Sequence, residues 1–177
     1  MSHQNFKFTL RILSCLALIL LISPVQQVRA QMESQMGSAI IYSDTADAKA
    51  EIRAALATAA REHKNVILDF GGNWCSDCQL LNIYFHDPSN AGVLQSNYVL
   101  VDVNVGDYDQ NLDIAQEYGI PLNKGVPALV VLDGQGRVLY AQRHGEFEKM
   151  SILDTSAVME FLEKWKPHAR PKNRATR

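Results

Sequence analysis

The sequence predicts an α/β fold, a three-layer sandwich with a central mixed sheet between helices. Apolar runs of strand length alternate with stretches of helical period, the pattern of helices packed on both faces of a sheet. The last two strand-like runs flank Asp133-Gly134-Gln135-Gly136, a turn sequence that makes an antiparallel pair. The chain also has the size and composition of one globular domain: 177 residues, 47% hydrophobic, 20% charged and three cysteines. That composition excludes collagen-like, disordered and disulfide-dense scaffolds. Seventeen Lys and Arg against nineteen Asp and Glu give a formal charge of −2, so a strongly basic nucleic-acid binder is excluded too. About 150 residues bury roughly two-thirds of the surface that the unfolded chain exposes, so no metal or staple is needed to hold the core.

Residues 1–30 read as a signal peptide. Lys7 and Arg11 precede an apolar run at 12–22, too short for a membrane helix of about 20 residues. Val28-Arg29-Ala30 puts small residues at the −3 and −1 positions of a cut after Ala30; the competing reading is an uncleaved anchor. Cys15 lies inside the apolar run rather than after it, so lipidation there is not expected. Cleavage removes Lys7, Arg11 and Arg29 and leaves 14 basic residues against 19 acidic ones, a charge of −5. The mature chain keeps only Cys75 and Cys78, in a periplasmic or secreted setting that permits disulfides.

Residues 31–42 form a lead in which 39–42 is expected as a short strand. Ser43 or Asp44 is expected to cap a helix over 46–63, with Ile52, Ala55, Leu56 and Ala59 on its inward face. A buried strand follows at 66–70, and Gly71-Gly72-Asn73 turns the chain into a helix near Cys75 carrying Leu80, Leu81 and Ile83. Asp87-Pro88 restarts helix towards Gln95, because proline suits the first helical position. Strand at 98–105, a short helix at 110–118 stopped by Gly119, and strands at 126–132 and 138–141 come next. Thr155 is expected to cap a last helix whose Val158, Phe161, Leu162 and Trp165 recur at i, i+3, i+4 and i+7 before Pro167. The folded domain is thus expected over 43–167, followed by a basic tail at 168–177.

Trp74-Cys75-Ser76-Asp77-Cys78 carries the chemistry. A strand ending at Gly71-Gly72 before a helix places Cys75 where unpaired amides and the positive end of the helix dipole favour a thiolate. Cys78, three residues on, shares its face and lies within reach of a disulfide. An exposed first sulfur and a shielded second one make Cys75 the attacking thiol and Cys78 the resolving one. Zinc is disfavoured: there is no second cysteine pair, and His63, His86, His144 and His168 lack metal spacing. A purely structural bridge is weak, since so short a loop removes little chain entropy.

The stretch from Leu68 to Cys78 resembles the thioredoxin active site, and Gly125-Val126-Pro127-Ala128-Leu129 resembles that family's cis-proline segment. The likeness covers about 43–166 and is nearest to periplasmic members such as the C-terminal domain of the transmembrane thiol:disulfide interchange reductase. It implies a thioredoxin fold and a redox-active Cys75–Cys78 pair. It also implies that Asp69, six residues before Cys75, is the buried acid that relays the proton of Cys78. Its apolar neighbours Ile67, Leu68 and Phe70 agree with burial. Pro127 would follow a cis bond facing the disulfide, and Val126 would pair its backbone with an extended client. Trp74 would shield the thiols or belong to the core.

Departures from the family pattern fall at Ser76 and Asp77, where thioredoxin has Gly-Pro, and in residues 121–124, which lengthen the segment before Gly125. Ala128 replaces a common threonine, and Asp102 occupies the position of a usual lysine near the buried acid. These tune groove and potential rather than the exchange itself. The expected activity is thiol:disulfide exchange as a reductant; the alternatives are an oxidant and a non-catalytic client-binding module. Protein disulfides or dithiols and an upstream redox partner are the expected partners, with no cofactor, no metal and no nucleic acid, and a monomer is expected. Membrane contact is expected, if at all, only through the signal segment or the basic tail, with Arg170, Lys172, Arg174 and Arg177.

Overall fold

The computed structural model describes residues 40–168. The signal segment with its cut after Ala30, most of the lead and the tail from 169 lie outside the described residues. Among the described residues no helix is long and apolar enough to cross a membrane.

The elements run α1 (Ala48–Glu62), β1 (Asn65–Gly71), α2 (Ser76–His86), α3 (Pro88–Asn97), β2 (Tyr98–Asn104), α4 (Leu112–Glu117), β3 (Ala128–Leu132), β4 (Val138–Ala141) and α5 (Thr155–Trp165). The sheet order is β2-β1-β3-β4. β1 pairs parallel with β2 and antiparallel with β3, so the sheet is mixed, and β3 and β4 form the expected hairpin. Asp133 organises its turn, accepting from Gln135 N and Arg137 N through Oδ1.

Alternation along the strands splits the interior into two cores. Val66, Leu68 and Phe70 of β1, with Ala128, Val130 and Leu132 of β3, meet Ile52, Ala55 and Ala59 of α1 and Ile114 and Ala115 of α4. Ile67, Leu129 and Val131 instead meet Leu81 and Phe85 of α2, Leu94 of α3 and Val158, Phe161 and Leu162 of α5. Both faces of β1 are therefore covered, which is why all seven of its residues are buried. The i, i+3, i+4 spacing on α5 faces the core as its sequence requires, while Trp165 ends the stripe half-covered against the same core.

Several local expectations are corrected. Ile40–Tyr42 forms no strand: the amides of Ile41 and Tyr42 both donate to Asn73 Oδ1, at 2.9 and 3.1 Å, and Asn73 Nδ2 returns a bond to Tyr42 O. A side chain, not a neighbouring strand, satisfies this segment. Neither Ser43 nor Asp44 caps α1. Asp47 does, accepting from Ala50 N at 3.0 Å, while Asp44 is held by Asn104 Nδ2 at 2.8 Å. Asp154 rather than Thr155 caps α5, through Ser156 N and Ala157 N; Thr155 binds Asn90 instead. The first strand after Gly125 begins at Ala128, because proline at 127 has no N–H for the ladder.

Candidate active site

β1 delivers the chain to Gly71, where Val105 N donates to the Gly71 carbonyl and closes the sheet end. A Cβ at Gly71 would collide with the Tyr42 phenol, and one at Gly72 would press on the Trp74 indole. Glycine at both positions lets two aromatic side chains close over the strand end. The turn then presents Cys75 as the N-cap of α2: its backbone is extended, and its Sγ accepts from Cys78 N at 3.1 Å. The first-turn amide that would otherwise be an orphan thus points at sulfur, as the helix-start argument requires.

Cys75 and Cys78 form a disulfide, with Cα atoms 5.2 Å apart. Cys78 is fully buried, but the expected exposed position of Cys75 is corrected, since that residue is only 7% exposed. The cis-proline segment lies against it. The Val126–Pro127 peptide is cis, and Val126 O stands 3.5 Å from Cys75 Sγ. Val126 and both cysteines belong to the same core cluster.

Trp74 is not a core residue. It is 53% exposed, its Nε1 donates to Gly106 O at 2.8 Å, and its ring meets that of Tyr108 with centroids 5.5 Å apart. Tyr108 is itself exposed and left-handed at φ 65°, so the β2–α4 loop offers a second aromatic beside the redox turn. Ser76 and Asp77 form the first turn of α2, and Asp77 Oδ1 accepts from Ser151 N at 3.2 Å.

Asp69 lies in the middle of β1, 1% exposed, in register with Asp102 on β2 and Leu129 on β3. Its Oδ2 accepts a 2.9 Å bond from the phenol of Tyr42, a residue that sequence reasoning assigned only to a strand. Its Oδ1 is buried with no partner, as is Oδ1 of Asp102. Burial first, and then the charge of Asp102, push the Asp69 carboxyl well above the usual range, while the Tyr42 bond works the other way. Asp102 is pushed up to about 6, chiefly by burial and further by Glu51, with His86 opposing. Burial and the Asp69 charge raise the Tyr42 phenol too, so it stays a donor.

A second polar side chain missed in the sequence is Gln142. It is 2% exposed and grips the cis-proline segment, with Nε2 donating to Pro127 O and Oε1 accepting from Leu129 N. A buried glutamine just past an edge strand has no sequence signature. Among the described residues, no three His, Cys, Asp or Glu side chains cluster to hold a metal ion.

A family model described as thioredoxin-like matches residues 47–134. The crystal structure of a disulphide isomerase from Xylella fastidiosa Temecula1 is 33% identical, with a TM-score of 0.68 over 71% of this chain and 96% of its own. The oxidised DsbD C-terminal domain of Neisseria meningitidis shares the fold, with a TM-score of 0.51 at 22% identity over 71% of this chain and 98% of that domain. Thioredoxin H-type of Chlamydomonas reinhardtii is 33% identical over 69 residues, which are 39% of this chain and 58% of that protein. The chain therefore spans less than two-thirds of that curated relative.

Proposed function

The chain belongs to the thioredoxin-like family, and from that premise we propose that it is a periplasmic or secreted reductant of protein disulfides. The carrying observation is the capped disulfide: Cys75 at the start of α2 with its sulfur on the Cys78 amide, and Cys78 buried behind it. In the reduced protein the helix start stabilises the Cys75 thiolate. That thiolate attacks one sulfur of a client disulfide, forms a mixed disulfide and releases the other client sulfur as a thiolate. Cys78 then loses its proton to Asp69 and attacks Cys75 Sγ. The Cys75–Cys78 bond closes, and the second client sulfur leaves. Two electrons pass to the client, and an upstream dithiol restores the pair.

Val126 supports client binding, since its backbone borders Cys75 Sγ and precedes β3, where an extended segment would pair with it. Trp74, exposed beside the disulfide, supplies an apolar contact. Export is supported by the signal-like residues 1–30.

Trapping tests the reading. Cys78→Ser is expected to accumulate covalent client complexes that dithiothreitol releases, and Cys75→Ser almost none. Equal trapping by both would remove the assigned order, and failure of the wild-type protein to reduce insulin would remove the activity.

A further inference from the structure

Gln142 lies one residue beyond β4, opposite Leu129 in the antiparallel pair. Its backbone N–H donates to Leu129 O at 2.9 Å. The return bond of the ladder does not come from its own carbonyl. Instead, Leu129 N donates to the side-chain Oε1 at 3.3 Å, and Nε2 of the same amide donates to Pro127 O at 3.0 Å. The amide orientation is not ambiguous, because Leu129 N–H can only donate and Pro127 C=O can only accept. One buried side chain thus replaces the next rung of the hairpin after β4 has ended.

The consequence lies two residues away. Pro127 cannot contribute an N–H, so on the β4 side its carbonyl is the handle by which this segment can be held. With that carbonyl and the Leu129 amide both bound, the peptide before Pro127 is tied to the rigid start of β3. That peptide carries Val126, whose carbonyl stands 3.5 Å from Cys75 Sγ. The cost of leaving Gln142 unpaired in the core is high, so the two bonds hold each other in place.

We propose that Gln142 is a positioning residue for client recognition, locking the Pro127–Leu129 backbone so that the Val126 backbone is held ready for a client strand at Cys75. This rests on the reductant reading of the same site. It predicts selective damage: an extended protein client needs the Val126 backbone, whereas a small disulfide needs only the Cys75 sulfur.

The test uses full-length protein, reduced and freed of dithiothreitol, in single-turnover reactions with insulin and with dithiobis(nitrobenzoate). Gln142→Met keeps length and loses both bonds. Gln142→Glu keeps the acceptor for Leu129 N and loses the donor to Pro127 O. Both are compared below their melting temperatures, with folding checked by circular dichroism. The expected result is a fall of about tenfold in the insulin rate constant, the size of one buried hydrogen bond. The small-disulfide rate and the reduction potential should stay within twofold and a few millivolts of wild type. Insulin rates unchanged in both variants would overturn the inference. So would insulin and small-disulfide rates falling together, which is the mark of a merely structural role. A wild-type protein inert towards insulin would instead overturn the underlying reading, and this inference with it.

Discussion

Asp69 is a carboxyl under opposing influences: burial and the neighbouring Asp102 favour its protonated form, while the Tyr42 phenol favours the charged one. A buried acid raised above its ordinary range is a better proton acceptor than an ordinary carboxylate and can take a thiol proton and return it. Asp69→Asn is therefore expected to slow resolution of the mixed disulfide about a hundredfold at pH 7 while the first attack changes little. Stopped-flow single turnovers separate the two steps, and equal slowing of both would leave Asp69 without the relay. Asp77 is expected to act on the other sulfur. Its charge in the first turn of α2 is expected to oppose a Cys75 thiolate, while the half-buried carboxylate shares that charge with Ser151 N. A charge near the surface is worth about 1 kcal/mol, or roughly 20 mV for a two-electron couple. Asp77→Asn should raise the potential by up to about that amount against glutathione buffers. A fall would contradict the sign.

At the scale of elements, the active-site helix is fixed at both ends by side chains from elsewhere. Asn73 ties the turn before it to residues 41–42 and, through its carbonyl, to Gln79. At the far end Asn90, fully buried in α3, donates to Tyr84 O of α2 and to both the carbonyl and hydroxyl of Thr155 at the start of α5. Three helices meet on one amide group. Asn90→Ala is expected to cost about 2–3 kcal/mol, because it removes the buried bonds that join three helices and leaves a cavity in the core. Urea denaturation reads this directly as a lower midpoint at unchanged slope. A loss under about 0.5 kcal/mol would show that water replaces the amide.

For the whole molecule, the buried acids make stability depend on pH in an unusual direction. A carboxyl whose folded pKa is raised binds its proton more tightly in the native state, so its contribution falls as pH rises from the unfolded value near 4 to the folded one. For Asp102 that window ends at about 6; Asp69 is raised in the same direction, by burial and then by the charge of Asp102. Asp87 and Asp154, held low chiefly by their serine hydrogen bonds, and Asp133, where burial raises the carboxyl but the bonds from Arg137 and Gln135 together outweigh it, work oppositely and lose their contribution as pH drops below about 4. Stability should therefore peak in mild acid. Asp102→Asn is expected to exceed wild type at pH 7.5, by on the order of 2 kcal/mol, with the gap closing towards pH 4.5. Paired urea titrations at the two pH values check it, and a gap independent of pH would rule out titration as the cause.

Legibility in the sequence followed the range of the interactions. The strand–turn–helix junction around Cys75, the proline-started α3, the hairpin at 133–136 and the stripe on α5 all rest on neighbours within a few residues, so period and turn chemistry sufficed. Burial of Asp69 could be read from its apolar neighbours for the same reason. Cap positions slipped because several acceptors sat side by side, and only long-range bonds chose between them: Asn104 claims Asp44 from 60 residues away, and Asn90 claims Thr155 from 65. The Tyr42 phenol on Asp69, the Tyr108 ring beside Trp74, the closing of Cys75 against Val126 and the Gln142 clamp join segments between 13 and 51 residues apart. By itself the sequence determined which residues could do the chemistry and which local structures would carry them. The tertiary structure decided which polar groups meet in the dry interior, because a buried donor takes whatever acceptor the packing of distant elements brings to it.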